Sequence, residues 1–258
     1  AESVGWDGGS PGAPDGAEHL PLARPGWFRQ LLHFAWIQLQ CCLFPALVFL
    51  ALAATGWAWG RWDMPIFRAD VLLGWMLIVQ VVLIATRFET WRELGVICAF
   101  HVLGLGLEVF KVSVGSWHYP DPGTFAVAGV PLYSGFMYAS VGSYICQAFR
   151  RFDLRVTRYR PWPAAALAVA AYANFFTHHF IPDLRLWIAI GFVVVLWGTR
   201  VHFTVGPRRY WMPLVVAYVL IGFFLWIAEN AGTFLDVWRY PNQAAVWEMV
   251  HVGKLGSW

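Results

Sequence analysis

Long apolar runs separated by short connections constrain this chain most. Full candidates lie at 34–59, 70–86, 94–117, 129–148, 163–180, 186–199 and 212–235, and an eighth pattern starts near Ala245 and runs to the chain end. A helix needs about 20 mainly apolar residues to cross a bilayer. Inside the hydrocarbon every backbone N–H and C=O must be satisfied within the segment, which makes helices the spanning form for runs of this length. The sequence predicts an all-α, polytopic transmembrane bundle of seven to eight helices.

Composition agrees. The chain is 59% hydrophobic and 13% charged with mean hydropathy +0.54, whereas soluble domains are about one quarter charged. Its 17 Trp and 20 Phe suit membrane interfaces. A formal net charge of +3 is too small to argue for nucleic acid as a partner. Cys41, Cys42, Cys98 and Cys146 sit in apolar runs without metal-type spacing and read as buried free thiols. Residues 1–29, rich in Gly, Pro and Asp, read as a disordered tail. Residues 30–258 read as one transmembrane domain, and the family pattern described below is expected to continue past Trp258.

The connections alternate in charge. With the N-terminus inside, the inner segments hold Arg24, Arg29, Arg87, Arg92, Arg150, Arg151, Arg155, Arg158, Arg160, Arg200, Arg208 and Arg209. The outer segments hold only Arg61, Arg68, Arg185 and Arg239. This is the positive-inside pattern, and it predicts a cytoplasmic N-terminus; the bacterial inner membrane is what the resemblance given below implies.

Two stretches, LEVFKVSVGSWHYP and AENAGTFLDVWRYP, place Glu108, Trp117, Tyr119 and Pro120 at the same spacing as Glu229, Trp238, Tyr240 and Pro241. Pro65, Arg68 and Gly74 match Pro182, Arg185 and Gly191 at another constant offset. Duplication follows as the reading: two parallel four-helix halves, about 30–146 and 160–258, with sites expected between the repeats. A charged residue inside a membrane segment is costly and marks a functional candidate. Counted inward from its Trp, each glutamate lies about 13 Å deep at 1.5 Å per residue. Lys111 and Lys254 fall at neighbouring depths, so the four groups are expected to neutralise one another, either as structural ion pairs or as an acid–base set.

Around these candidate catalytic residues, Trp117, Tyr119, Trp238, Tyr240, Tyr138 and Asn230 are the candidate substrate contacts. The aromatics read either as interface anchors or as a lid whose rings hold an apolar or cationic substrate. His178, His179, Glu248 and His251 are weak metal candidates through a Glu-x-x-His pair; interfacial histidines bound by water or headgroups are the favoured reading. Gln80 is a further mid-depth polar group. The chain has no phosphate loop, Walker motif, Gly-x-Ser-x-Gly elbow or dinucleotide fingerprint, so the expected chemistry uses no cofactor.

The stretch from His101 to Ile145, together with ENAGTFLDVWRYPNQ and VWEMVHVGKLGSW, resembles an uncharacterised family of bacterial integral membrane proteins. That resemblance covers most of the chain after residue 30 and brings no activity. A weaker similarity, to membrane carotenoid hydratases and lycopene-cyclase-type domains, rests on Glu108, Trp117, Tyr119 and Gly129-Val130-Pro131. The second half lacks the Gly-Val-Pro element. This similarity implies acid–base chemistry on an isoprenoid or other lipid; a transporter and a metal-dependent oxidoreductase are the alternatives.

Overall fold

The structure, a computed structural model, describes residues 26–178, 180–243 and 246–252. In chain order the elements are α1 (Trp27–Cys41), α2 (Leu43–Trp59), α3 (Arg68–Ala85), α4 (Trp91–Ser113), β1 (Ala126–Val127), β2 (Val130–Pro131), α5 (Ser134–Arg151), β3 (Arg155–Thr157), α6 (Pro161–Thr177), α7 (Arg185–Val195), β4 (Arg200–Val205), β5 (Arg208–Pro213) and α8 (Leu214–Phe234), then a 3₁₀ turn at Pro241–Gln243. The protein is mostly helical. Helices α3, α4 and α8 are long and apolar enough to cross a membrane, and α1 with α2 make a fourth candidate if that bent pair is one span.

Several expectations need correction. The run 34–59 is two helices that meet at 64°. Pro45 explains the break, because a proline ring inside a helix clashes with the carbonyl four residues back, here that of Cys41. Helix α1 begins at Trp27, so the last residues of the expected tail are helical. The expected fifth and sixth spans form as α6 and α7, of 17 and 11 residues, too short to pass as spans. The all-α expectation fails at two sheets: a small β1–β2 hairpin, and a three-stranded antiparallel sheet in the order β3-β4-β5. The eighth helix is not seen in residues 246–251, which are non-helical; Gly253–Trp258 lie outside the described residues. All four cysteines are free, as expected, but only Cys41 is buried; Cys42 and Cys146 are half-buried and Cys98 is exposed.

Local chemistry sets the boundaries. Thr90 and Glu93 form a capping box that starts α4, the Thr90 N–H donating to Glu93 at 2.7 Å and the Glu93 N–H to Thr90 Oγ1 at 3.3 Å. Pro161 opens α6, where its missing N–H costs nothing. The main core joins α2, α3, α4 and α5 through Phe44, Leu52, Leu72, Met76, Ile97 and Phe136. Helices α4 and α5 meet closely at glycines. A methyl group on Gly104 would stand 2.2 Å from Tyr138 Cγ, and one on Gly135 would stand 2.7 Å from the His101 ring.

The two matched stretches also share backbone features. Helix α3 starts at Arg68 and α7 at Arg185, the two residues matched in the sequence. Helices α4 and α8 end five residues after their glutamates, in the same C-terminal turn. Gly115 donates to the Val112 carbonyl and Ser116 to that of Lys111; Asp236 donates to Thr233 and Val237 to Gly232. Both turns place a residue at positive φ, Gly115 at 71° and Asp236 at 56°. These are Schellman motifs at equivalent positions.

Candidate functional site

The end of α4 decides the site's geometry. Because the helix stops at Ser113 and the chain reverses at Gly115, Trp117 folds back toward the helix instead of extending it. Glu108 therefore lies about 8 Å below the helix end, at 1.5 Å per residue, and not 13 Å below Trp117. The reversal delivers the donors. Glu108 Oε2 accepts from Trp117 Nε1 at 2.7 Å and from the Tyr119 hydroxyl at 2.7 Å. From α5, the Tyr138 hydroxyl donates to Oε1 at 2.8 Å. Glu108 is thus buried against three neutral donors.

The second half builds a related centre. Glu229 on α8 is buried, and the Tyr240 hydroxyl donates to its Oε1 across the same eleven-residue spacing that separates Glu108 from Tyr119. Burial first, and then the adjacent carboxylate, push the Tyr119 hydroxyl well above the usual tyrosine range; the same causes act in that order on Tyr240. Both phenols therefore remain neutral donors.

The centres are joined at their exits. His118 and Arg239, the variable positions of the two Trp-x-Tyr-Pro motifs, form an antiparallel bridge. His118 N–H donates to the Arg239 carbonyl at 3.1 Å, and Arg239 N–H to that of His118 at 3.0 Å. The Trp117 and Tyr240 rings meet edge to face at 5.8 Å, which links Glu108 to Glu229 through two aromatic side chains. Pairing equivalent residues antiparallel creates a local two-fold axis.

The halves are not identical. Lys111 in the first stands where Gly232 stands in the second. Gly232 leaves room for Trp238, whose ring would lie 2.4 Å from a methyl group there. Lys111 is buried, donates to the Phe175 carbonyl at 3.4 Å and sits 4.0 Å over the Phe175 ring. These contacts run to α6, while the Glu108 hydrogen bonds come from the neutral groups of Trp117, Tyr119 and Tyr138. Lys254 lies outside the described residues.

Asn230 has a structural position. Its amide donates to the Trp226 carbonyl at 2.8 Å and accepts from Val250 N–H at 2.9 Å. With Trp226 Nε1 donating to the Val250 carbonyl at 3.0 Å and Trp247 Nε1 to Thr233 at 3.1 Å, it fastens residues 246–252 along α8. Among the described residues no three His, Cys, Asp or Glu side chains form a ligand cluster. His178 Nδ1 lies 3.0 Å from the Asn174 and Phe175 carbonyls, Glu248 and His251 are exposed, and His179 lies outside the described residues.

Sequence reasoning missed Glu89. It lies in the turn between α3 and α4, is buried, and accepts from Gln80 Nε2 at 2.6 Å and from the Ser143 hydroxyl. It also missed Arg68 as a junction. The Arg68 guanidinium donates to the Leu235 carbonyl at 3.0 Å, to the Leu52 carbonyl at 2.9 Å and to Thr55 at 3.0 Å, tying the start of α3 to α2 and to the end of α8. The signal for Arg68 was its place in the repeat; Glu89 had none.

Residues 30–258 match a family described as a protein of unknown function, DUF817. The chain belongs to that family. A relative, the uncharacterized protein YoaT of Bacillus subtilis (strain 168), is 47% identical over 235 residues, which is 89% of this chain and 86% of the relative. No solved structure matches the chain. The comparisons give no support to the weaker likeness to carotenoid hydratases and lycopene-cyclase-type domains.

Proposed function

We propose that this protein is a multi-pass protein of the bacterial cytoplasmic membrane, N-terminus inside, whose Glu108–Glu229 centre carries out acid–base chemistry on an isoprenoid or similarly apolar lipid. The observation that carries this reading is the ring of neutral donors around Glu108. Trp117, Tyr119 and Tyr138 put no cation among these partners of Glu108, so its charge is held by hydrogen bonds alone, which favour the anion less than an ion pair would and leave protonation within reach. Oε1 accepts one hydrogen bond where Oε2 accepts two, and the open position on Oε1 is where a proton fits. The reaction is an isomerisation. Glu108 as the acid protonates an alkene carbon, the aromatic walls shelter the cation, and a carboxylate removes a proton from the neighbouring carbon. No co-reactant is consumed. The arginine bias of the connections supports the orientation.

Exchange from heavy water tests it. Membranes holding the protein are incubated in D₂O, and the extracted lipids are read by mass spectrometry. The reading expects deuterium in C–H positions of one lipid, reduced at least about 100-fold by Glu108→Gln, the low end of what a positioned acid or base contributes. No protein-dependent deuterium in any lipid would refute it. A transporter is the second reading, favoured by the antiparallel bridge between the matching residues His118 and Arg239, and it expects solute flux without such exchange.

A further inference from the structure

The three-stranded sheet β3-β4-β5 has two unlike faces. One packs on the helices: Val201 and Met212 against α6 and the start of α8, and Val205, Phe203 and Tyr210 against Phe34 and Phe152. The register puts the alternate residues on the other face. Arg155 pairs with His202, Thr157 with Arg200, His202 with Trp211 and Thr204 with Arg209. Each strand thus gives this face one arginine: Arg155, Arg200 and Arg209. Arg200 lies 4.1 Å over the exposed Trp211 ring. Asp153 beside Arg155 is the acid paired there, at 3.3 Å.

The sheet also sits at a helix boundary. Pro161 opens α6 just after β3, Arg200 follows α7 closely, and Leu214 opens α8 directly after β5. Trp162 and Trp197, 84% and 78% exposed, flank it at those helix ends, where the headgroup layer is the favoured level for tryptophan. We infer that this arginine-faced sheet binds the phosphate headgroups of anionic phospholipids in the inner leaflet. The occupant follows from charge and level together. Three guanidiniums on a flat face match a layer of phosphates, basic residues near a membrane surface attract anionic lipid, and the tryptophans set the face at headgroup height. A soluble polyanion would need the charge but not the tryptophans.

The inference rests on the membrane reading, which is tested separately by whether the protein stays in the membrane pellet until detergent releases it. For the face itself, the full chain is purified in neutral detergent, mixed with equal phosphatidylglycerol and phosphatidylcholine, and weighed intact by native mass spectrometry. Wild type retains phosphatidylglycerol in preference, and 10 mM inorganic phosphate leaves that preference in place. The combined Arg155→Gln, Arg200→Gln and Arg209→Gln variant loses it, by on the order of a hundredfold in affinity. Arg92→Gln, which removes a charge from the same side away from the sheet, keeps it. Melting in phosphatidylcholine alone confirms that the triple variant is folded; should it not be, the single Arg209→Gln variant is expected to show a partial loss. Equal retention of the two lipids by wild type, unchanged preference in the folded variants, competition by free phosphate, or tighter binding of a single-stranded oligonucleotide would each overturn the inference.

Discussion

Glu108 accepts three hydrogen bonds on two oxygens, so its neutral isostere is a sharp test. In Glu108→Gln the remaining oxygen keeps Trp117 and Tyr119, and the new amide donates to Tyr138, whose hydroxyl turns to accept. The fold should survive, with a stability loss under about 1.5 kcal/mol, the size of one ordinary hydrogen bond, while deuterium exchange is lost. Tyr119→Phe does the opposite: it removes a donor from a buried carboxylate and should cost roughly 1.5–3 kcal/mol, read as a lower melting temperature. Gly104→Ala tests how Tyr138 is held. The added methyl would collide with the Tyr138 ring, and overpacking of this kind costs about 1–3 kcal/mol. It should lower exchange as well as stability, because Tyr138 must leave Glu108. Stability unchanged in Gly104→Ala would contradict the packing described between α4 and α5.

At the scale of elements, the reversals after α4 and α8 aim the exit aromatics. Gly115→Ala puts a Cβ at positive φ and should destabilise the protein by about 1 kcal/mol. In Asp236→Gly the backbone relaxes while the Arg239 pairing to Asp236 is lost, so the two effects offset and the net change should be smaller than that of Gly115→Ala. Thermal unfolding of the pair separates these contributions. The sequence revealed the acids and their exit tyrosines because a spacing repeated, and repetition survives any uncertainty about helix ends. It misjudged the depth because the count ran through Trp117 as if helical, while Gly115 turned the chain two residues earlier. The hairpin β4–β5 was visible in Val201, Phe203 and Val205 alternating before Gly206-Pro207. Its arginines drew attention to topology instead. Glu89 stayed hidden because a carboxylate in a short charged connection reads as solvated, and its burial depends on Gln80 and Ser143 from two other helices.

For the whole molecule, the bridge between His118 and Arg239 states how the halves meet. The two residues exchange both backbone hydrogen bonds, a pair whose Cα atoms lie about 5.5 Å apart and within reach of a disulfide. The double variant His118→Cys with Arg239→Cys should form one on mild oxidation, seen as a mobility shift reversed by reductant. A membrane-impermeant thiol reagent should block it from the outer side alone; blocking from the inner side only would invert the proposed orientation. The sheet has a different consequence, in time. Thr157 finds its partner Arg200 only after α6 and α7 have been synthesised, and α8 begins at the residue that follows β5. Glu108 meets Trp117, Tyr119 and Tyr138 within thirty residues of itself, so the first centre can assemble while the ribosome is still at work. Glu229 rides on a helix aligned by a sheet that closes late, and its tyrosine follows eleven residues after it. A ribosome that stalls between α5 and β4 therefore leaves one finished carboxylate centre without its twin.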